Sequence, residues 1–215
     1  MEIVEAQSLG EAWLAVSRRI LSDGAIATYD GLVTRELALL TVVVARPDPD
    51  DPIVADLGDP EWLRWMHENF FVQKDVPELG GAASYAVRLF NYDGAGRDQM
   101  RWVVERLRTD PASRSATITT FQPLTDTTYI PCVSMLDFWL PDGAVELVVY
   151  AHSLDFGKKA YGNLVELAAL QAWVADELGA PRGPLVVHAK SAHVYEPEWE
   201  LMARLAGLRP AARPV

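Results

Sequence analysis

Thr128-Tyr129-Ile130-Pro131-Cys132-Val133-Ser134 carries the one cysteine of the chain, and Ala151-His152-Ser153-Leu154-Asp155 follows after two apolar runs. The first run, with Met135, Leu136, Phe138 and Trp139, ends at Leu140-Pro141-Asp142-Gly143. An Asp-Gly pair between apolar segments marks a hairpin turn, because both of its residues tolerate positive φ. The second run, Val145 to Tyr150, leads directly into His152-Ser153. A hairpin therefore brings the start of one strand, with Cys132, beside the end of the next, with Ser153. A thiol and a polar cluster then share one edge of a sheet.

Outward from this hairpin, helical and strand patterns alternate irregularly. Leu9 to Leu21 reads as an amphipathic helix stopped near Gly24, with Arg18-Arg19 in its last turns, where cations suit the dipole. Tyr29 to Glu36 reads as a polar turn feeding a buried strand, Leu37 to Val44. Pro47 to Pro52 reads as an acidic loop. Asp59-Pro60-Glu61 opens a helix with a cap and a first-turn proline. Met100, Val103, Val104 and Leu107 give Gln99 to Leu107 a helical stripe. Ala116 to Phe121 is a threonine-rich strand. Tyr161 to Glu177 is the longest helix, Leu185 to His188 a last strand and Glu196 to Leu205 a last helix. The expected fold is α+β, with helices packed against a mixed β-sheet. No linker divides residues 1–215, so a single domain is expected.

The 215 residues carry 19 basic and 30 acidic side chains, a net charge of −11. Such a charge opposes binding to a nucleic acid polymer. A single cysteine excludes an internal disulfide and a cysteine-cluster metal site, and it fits a reducing, cytoplasmic setting. The first residues lack a basic segment and an apolar core, and no run is long enough to span a bilayer, so no membrane association is expected. His67, His152, His188 and His193 show no metal-ligand spacing, so no metal is expected. Gly157-Lys158-Lys159 lacks the flanking glycines of a phosphate loop. No serine stands in a nucleophile elbow. A lone cysteine is most often a small buried hydrophobe. As a nucleophile it would need nearby cations or donors, for which Arg114, His152 and His193 are the candidates.

Five motifs in order resemble the thymidylate synthase family. Tyr85-Ala86-Val87-Arg88 is similar to its Tyr-Gly-x-x-Arg stretch, and Asp110-Pro111-Ala112-Ser113-Arg114-Ser115 to its Asp-Pro-x-Ser-Arg-Arg segment. Pro131-Cys132 resembles the Pro-Cys nucleophile. His152-Ser153-Leu154-Asp155 with Asn163 resembles Arg-Ser-x-Asp…Asn, and His193-Val194-Tyr195 resembles His-x-Tyr. Gly31 to Glu36 is close to short archaeal and phage-type members.

The resemblance implies an α+β fold of this family, with sheets packed back to back in a homodimer. It implies that Cys132 adds to C6 of a pyrimidine nucleotide or nucleoside. C5 then takes a one-carbon unit from 5,10-methylenetetrahydrofolate. Tyr85, through water, helps remove the C5 proton. Asn163 and the Asp155 backbone hold the base, His193 and Tyr195 the sugar, and Ser153, Arg114 and Arg35 the phosphate. Arg114 comes from the other subunit. Glu61 matches the family's glutamate near the active site, with Glu68 the alternative.

Three positions depart from the pattern. His152 stands for an arginine, Ser115 for the second arginine of its pair, and Val133 for the histidine after the nucleophile. Only twenty residues follow Tyr195, where longer members place a folate-binding aspartate and a closing tail. Asn163 favours uracil, because cytosine-specific hydroxymethylases of the family carry aspartate there. The expected activity is thus transfer of a one-carbon unit to C5 of a dUMP- or UMP-like nucleotide. Two alternatives stand beside it: a CMP- or dCMP-type hydroxymethylase of nucleoside natural-product synthesis, and a non-catalytic nucleotide-binding paralogue.

Overall fold

The computed structural model describes residues 2–29, 31–72, 75–77, 80–127 and 129–208. Asp30 and Thr128, which fall in stretches quoted above, lie outside the described residues, as do all residues after Leu208. Among the described residues no helix is long and apolar enough to cross a membrane.

A mixed sheet with the order β1-β3-β10-β8-β7-β6 organises the chain. Its strands are β1 (Glu2–Ala6), β3 (Leu32–Val44), β6 (Ala116–Thr119), β7 (Val133–Trp139), β8 (Val145–Ala151) and β10 (Arg182–Tyr195). The short strands β2 (Ala25–Tyr29) and β9 (Leu154–Asp155) pair with β3 and β10, and β4 (Asp75–Val76) and β5 (Ala82–Ala83) form a separate ribbon. The β1–β3, β8–β10 and β9–β10 pairs are parallel and the rest antiparallel. The expected hairpin is β7–β8. Its turn contains Asp142 and Gly143 at φ 54 and 81, the left-handed conformation the Asp-Gly pair predicts.

Seven helices are described: α1 (Leu9–Asp23), α2 (Pro52–Leu57), α3 (Pro60–Phe71), α4 (Tyr85–Phe90), α5 (Gln99–Thr109), α6 (Ala160–Leu178) and α7 (Trp199–Leu205). In α1 the stripe Leu9, Ala12, Trp13, Val16 and Ile20 is fully buried. The helix runs to Asp23, so Arg18 and Arg19 fall before its last turn and serve other contacts. Arg18 Nε donates to the Ala206 carbonyl at 2.7 Å, and Arg19 pairs with Glu2 and Asp23. The acidic loop is shorter than expected. Asp51 caps α2 through Ile53 N and Val54 N at 2.9 and 3.0 Å, and its second oxygen holds Gly10 N at 3.0 Å. Asp59 caps α3 as predicted. The polar turn is also shorter, since β2 and β3 pair from Leu32 to Glu36 around Gly31.

One irregularity positions the site. In β10 the buried apolar side chains are Leu185, Val187 and Ala189, then Ala192 and Val194, so the apolar alternation slips between them. In β3 it slips opposite, between Leu40 and Leu37, where Leu39 adopts φ 57. Because successive strand residues face opposite sides, His193 and Tyr195 leave the core side held by Val194. This slip also explains why β10 extends far beyond Leu185–His188.

Candidate active site

Cys132 enters β7 pinned by backbone groups on both sides. His152 N donates to its carbonyl at 3.0 Å. The next residue's N–H, Val133 N, donates to the Tyr85 hydroxyl at 2.9 Å, and Thr120 Oγ1 donates to the Val133 carbonyl. Tyr85 opens α4 behind the cap Ser84. Its ring stacks on Phe70 at 4.4 Å, and its backbone N–H is held by Asn69 Oδ1 at 3.1 Å. Burial, with Cys132 and Tyr129 nearby, pushes the Tyr85 phenol well above the ordinary tyrosine value. Tyr85 is therefore a neutral group with a proton to give, beside a thiol. Tyr129 is raised likewise, by burial and then by Cys132. Tyr85, Tyr129, Asn69, Ala83, Arg88 and Pro131 line a narrow crevice beside the thiol.

The second wall is β9 and the start of α6. Asp155 lies opposite His193 in the parallel pairing, and Phe156 N donates to the His193 carbonyl at 2.8 Å. Burial first, then the nearby Glu198, pushes the Asp155 carboxyl up to about 6. Burial first, then Lys159, pulls His193 down to about 4, so its imidazole is neutral at pH 7. Its Nδ1 lies 3.4 Å from Ser191 Oγ, and its ring meets Tyr195 edge-on at 5.0 Å. Burial and then Lys190 hold His152 below the ordinary imidazole value, with Nδ1 3.4 Å from Ser134 Oγ. Ser153 sits between His152 and β9, half-buried. Asn163, in the first turn of α6, is buried, and its Nδ2 reaches Met66 Sδ at 3.5 Å.

The fold thus gathers Cys132, Tyr85, Asn163, His152, Ser153, Asp155, His193 and Tyr195 around one sheet edge. Three predicted residues are placed elsewhere. Arg35 pairs with Val194, so Glu36 rather than Arg35 shares the face of His193, and the Arg35 guanidinium lies 5.2 Å over the Trp199 ring. Arg114 is exposed just before β6, which begins opposite Phe138. Six strand residues separate Phe138 from Cys132, roughly 20 Å at about 3.3 Å each. Glu61 is exposed in the first turn of α3, and among the described residues no hydrogen bond or ion pair links its side chain to the cluster.

The structure adds Asn69, Tyr129, Lys159 and Glu198. Lys159 was visible in Gly157-Lys158-Lys159, but no side-chain periodicity announced its place. Burial outweighs the charges around it and leaves the Cys132 thiol above its ordinary value, with Lys159 lowering it and Asp155 raising it. Among the described residues no three histidine, cysteine or acidic side chains gather to hold a metal.

Comparison with known proteins places the chain among relatives. A model of the thymidylate synthase family matches residues 52–214. The "Putative thymidylate synthase" of Methanosarcina acetivorans is 31% identical over 211 residues, covering 94% of each chain. The protein of the same description from Methanococcoides burtonii is 30% identical over 211 residues, again 94% of each. The bifunctional dihydrofolate reductase-thymidylate synthase of Leishmania major is 28% identical over 183 residues, 83% of this chain and 32% of that one. With a mixed sheet flanked by helices and a match over most of its length, the chain belongs to the thymidylate synthase family.

Proposed function

We propose that the chain transfers a one-carbon unit from 5,10-methylenetetrahydrofolate to C5 of a uracil nucleotide of the dUMP or UMP kind, through a covalent bond between Cys132 and C6. The observation that carries this reading is the tie between Val133 N and the Tyr85 hydroxyl, which holds a neutral phenol beside the thiol. The Cys132 thiolate adds to C6, and the electrons of the C5–C6 double bond move to C5 and O4. C5 would then bond the carbon that the folate supplies, the bond from that carbon to the folate nitrogen would break, and the C5 proton would leave through Tyr85 and a water, giving an exocyclic methylene. Addition of hydride from the folate, or of water in the hydroxymethylase alternative, to that methylene would restore the C5–C6 double bond and expel the Cys132 thiolate.

Asn163 suits uracil because its amide offers a donor to O4 and an acceptor to N3–H. Neutral His193 and Tyr195 suit sugar hydroxyls. Ser153 and His152 are assigned to the phosphate, joined by Arg114 of a second copy, since Arg114 of the same chain lies at the far end of β7. One sheet face favours such a copy. Paired across the strands, Ile3, Thr41, His188, Tyr150 and Met135 form a row on the side away from the helices. Ile3, Tyr150 and Met135 are 60, 39 and 41% exposed, an apolar strip suited to a back-to-back homodimer.

The residues present fit the folate. Asp155 is a half-buried carboxyl, and the Glu198 Oε2 atom beside it is buried without a hydrogen-bond partner. Such acceptors match the N–H groups of a pterin ring, and the half-buried Trp62 offers a flat surface. The folate, when bound, supplies the carbon. The lone thiol suits a cytoplasmic setting, where it stays reduced.

The test is tritium release from 5-³H pyrimidines, offered as dUMP, UMP, dCMP, CMP and the nucleosides, with methylenetetrahydrofolate and product mass. Folate-dependent release from a uracil nucleotide, lost in Cys132→Ala, is expected. Release confined to cytosine substrates with a hydroxymethyl product would replace the reading with a hydroxymethylase. Binding without release would mark a non-catalytic paralogue.

A further inference from the structure

We infer that Thr120 is a positioning residue for the reaction: its hydroxyl holds the Val133 peptide on the Tyr85 phenol and so fixes the phenol beside Cys132. The kinetic consequence rests on the pyrimidine reading, while the geometry does not. In the sequence Thr120 is one threonine of a threonine-rich strand. In the structure it is fully buried where two strands part. β6 ends with Thr119 opposite Met135. On the other side of β7 the register with β8 shifts between Val133 and Met135, which leaves Ser134 as the extra residue of a bulge. A bulge disrupts the ladder locally, and buried backbone groups there need other partners. Thr120 meets two of them. Its N–H donates to the Ser134 carbonyl at 3.1 Å, and its Oγ1 donates to the Val133 carbonyl.

These bonds close a ring. Val133 N donates to the Tyr85 hydroxyl at 2.9 Å, and the Thr120 hydroxyl holds the carbonyl of the same residue. The Thr120 carbonyl accepts from Arg88 Nη1 at 2.8 Å. Arg88 follows Tyr85 by three residues in α4, so the two side chains leave the helix on one side. Arg88 is itself gripped by Asp126 at 2.8 and 2.9 Å. Tyr85, Arg88, Thr120 and Val133 are all 5% exposed or less, so no water replaces a bond that breaks. Tyr85 and Arg88 line the crevice beside the thiol, and Thr120 does not. It therefore acts through Tyr85 rather than on the substrate. The Val133 N–H occupies one lone pair of the phenol oxygen, which leaves the phenolic proton free to point at a water. Without the Thr120 donor the Val133 peptide can turn, and the phenol loses its register with Cys132. A misplacement of about 1 Å among reacting groups costs about 10²-fold in rate.

Thr120→Val keeps the shape and removes the donor, whereas Thr120→Ser keeps the donor. In the full-length protein, kcat for tritium release should fall about ten- to a hundredfold in Thr120→Val with KM unchanged. Thr120→Ser should recover most of the rate, and Thr120→Cys, with its weak S–H donor, should fall between the two. Added to Tyr85→Phe, Thr120→Val should cost no further rate, because residues that act as a unit are not additive. A merely structural role would instead multiply the two losses. Amide exchange followed by NMR without substrate supplies a second readout. The Val133 N–H should exchange faster in Thr120→Val, relative to Leu136 of the same strand, and not in Thr120→Ser. Exchange decides the geometry even where the wild type releases no tritium, a result that defeats the pyrimidine reading instead. Losses that multiply in the double variant, a serine variant as slow as the valine one, or Val133 exchange that tracks Leu136 would each overturn the role assigned to Thr120.

Discussion

Asp126→Asn probes the clasp that holds the loop before Cys132. Arg88 and Asp126 expose only 4 and 9% of their side chains. The guanidinium also donates to the carbonyls of Ala83 and Thr120 at 2.9 and 2.8 Å, and Asp126 accepts from Gln122 N at 2.7 Å. The clasp therefore joins α4, which bears Tyr85, to the loop that ends at Cys132. Removing one charge of such a buried pair costs about 3–5 kcal/mol. Asparagine keeps the shape and one acceptor, so the lower end applies, about 3 kcal/mol, or roughly 6–12 °C in Tm for a chain of this size. Urea unfolding at pH 7 reads this directly. The pH dependence gives a second check. Burial pushes the Asp126 carboxyl up, but the Arg88 bonds and Gln122 N outweigh it, leaving it below its ordinary 3.8. A carboxyl depressed by folding stabilises above its unfolded value and loses that contribution as pH falls through its folded value. The gap between wild type and Asp126→Asn should hold from neutral pH to about 4 and close below it. A loss under about 1 kcal/mol at pH 7, the worth of an exposed pair, would refute the reasoning, as would a gap that persists in acid.

Tyr85→Phe keeps the stack on Phe70 but leaves Val133 N–H buried without its acceptor. It should cost about 1–3 kcal/mol of stability and slow tritium release by about 10²-fold or more; unfolding curves and the release assay read the two losses. Glu198→Gln removes the neighbouring charge that helps hold Asp155 near 6, so carboxyl titration by NMR should find Asp155 lower. His152→Arg places a permanent charge where the imidazole is neutral, and calorimetry should show dUMP binding tightened about tenfold or more with deoxyuridine unchanged. Tyr150→Glu puts a charge at the centre of the exposed apolar row, and sedimentation should find monomer in place of dimer.

The central hairpin, the caps at Asp59 and the long helix α6 were legible because turn chemistry and periodicity act locally. So was the gathering of Cys132 with His152, Ser153 and Asp155, since one Asp-Gly turn sets that register. Other elements left little local trace. α2 and α4 have six residues each, under two turns, too few for a periodic stripe. β1 and β2 are five-residue strands at the sheet's margin, too short to announce their pairing with β3. β10 looked short because its alternation slips at Lys190–Ser191, a feature that makes sense only beside the matching slip at Leu39. The strand face that Arg35 joins was hidden for the same reason, since the slip decides it. Lys159 was read against a phosphate-loop pattern, whereas its position follows from the backbone bonds at the end of β9.

The pins on Cys132 are largely independent of the charged side chains around it. His152 holds the Cys132 carbonyl through its backbone N–H, so the identity of its side chain does not enter the bond. Val133 contributes its N–H to Tyr85 in the same way, and its own side chain is fully buried in the core. A histidine at position 152 and a valine at 133 are thus compatible with an undisturbed nucleophile. The charges, by contrast, belong entirely to side chains. A neutral imidazole carries no fixed charge and cannot grip an anion through the paired N–H groups of a guanidinium. An anionic substrate then needs another cationic ligand, and a less anionic substrate does not. Because the backbone holds the reacting sulfur and side chains set the field around it, the substrate's charge can change in this fold without moving the site of bond formation.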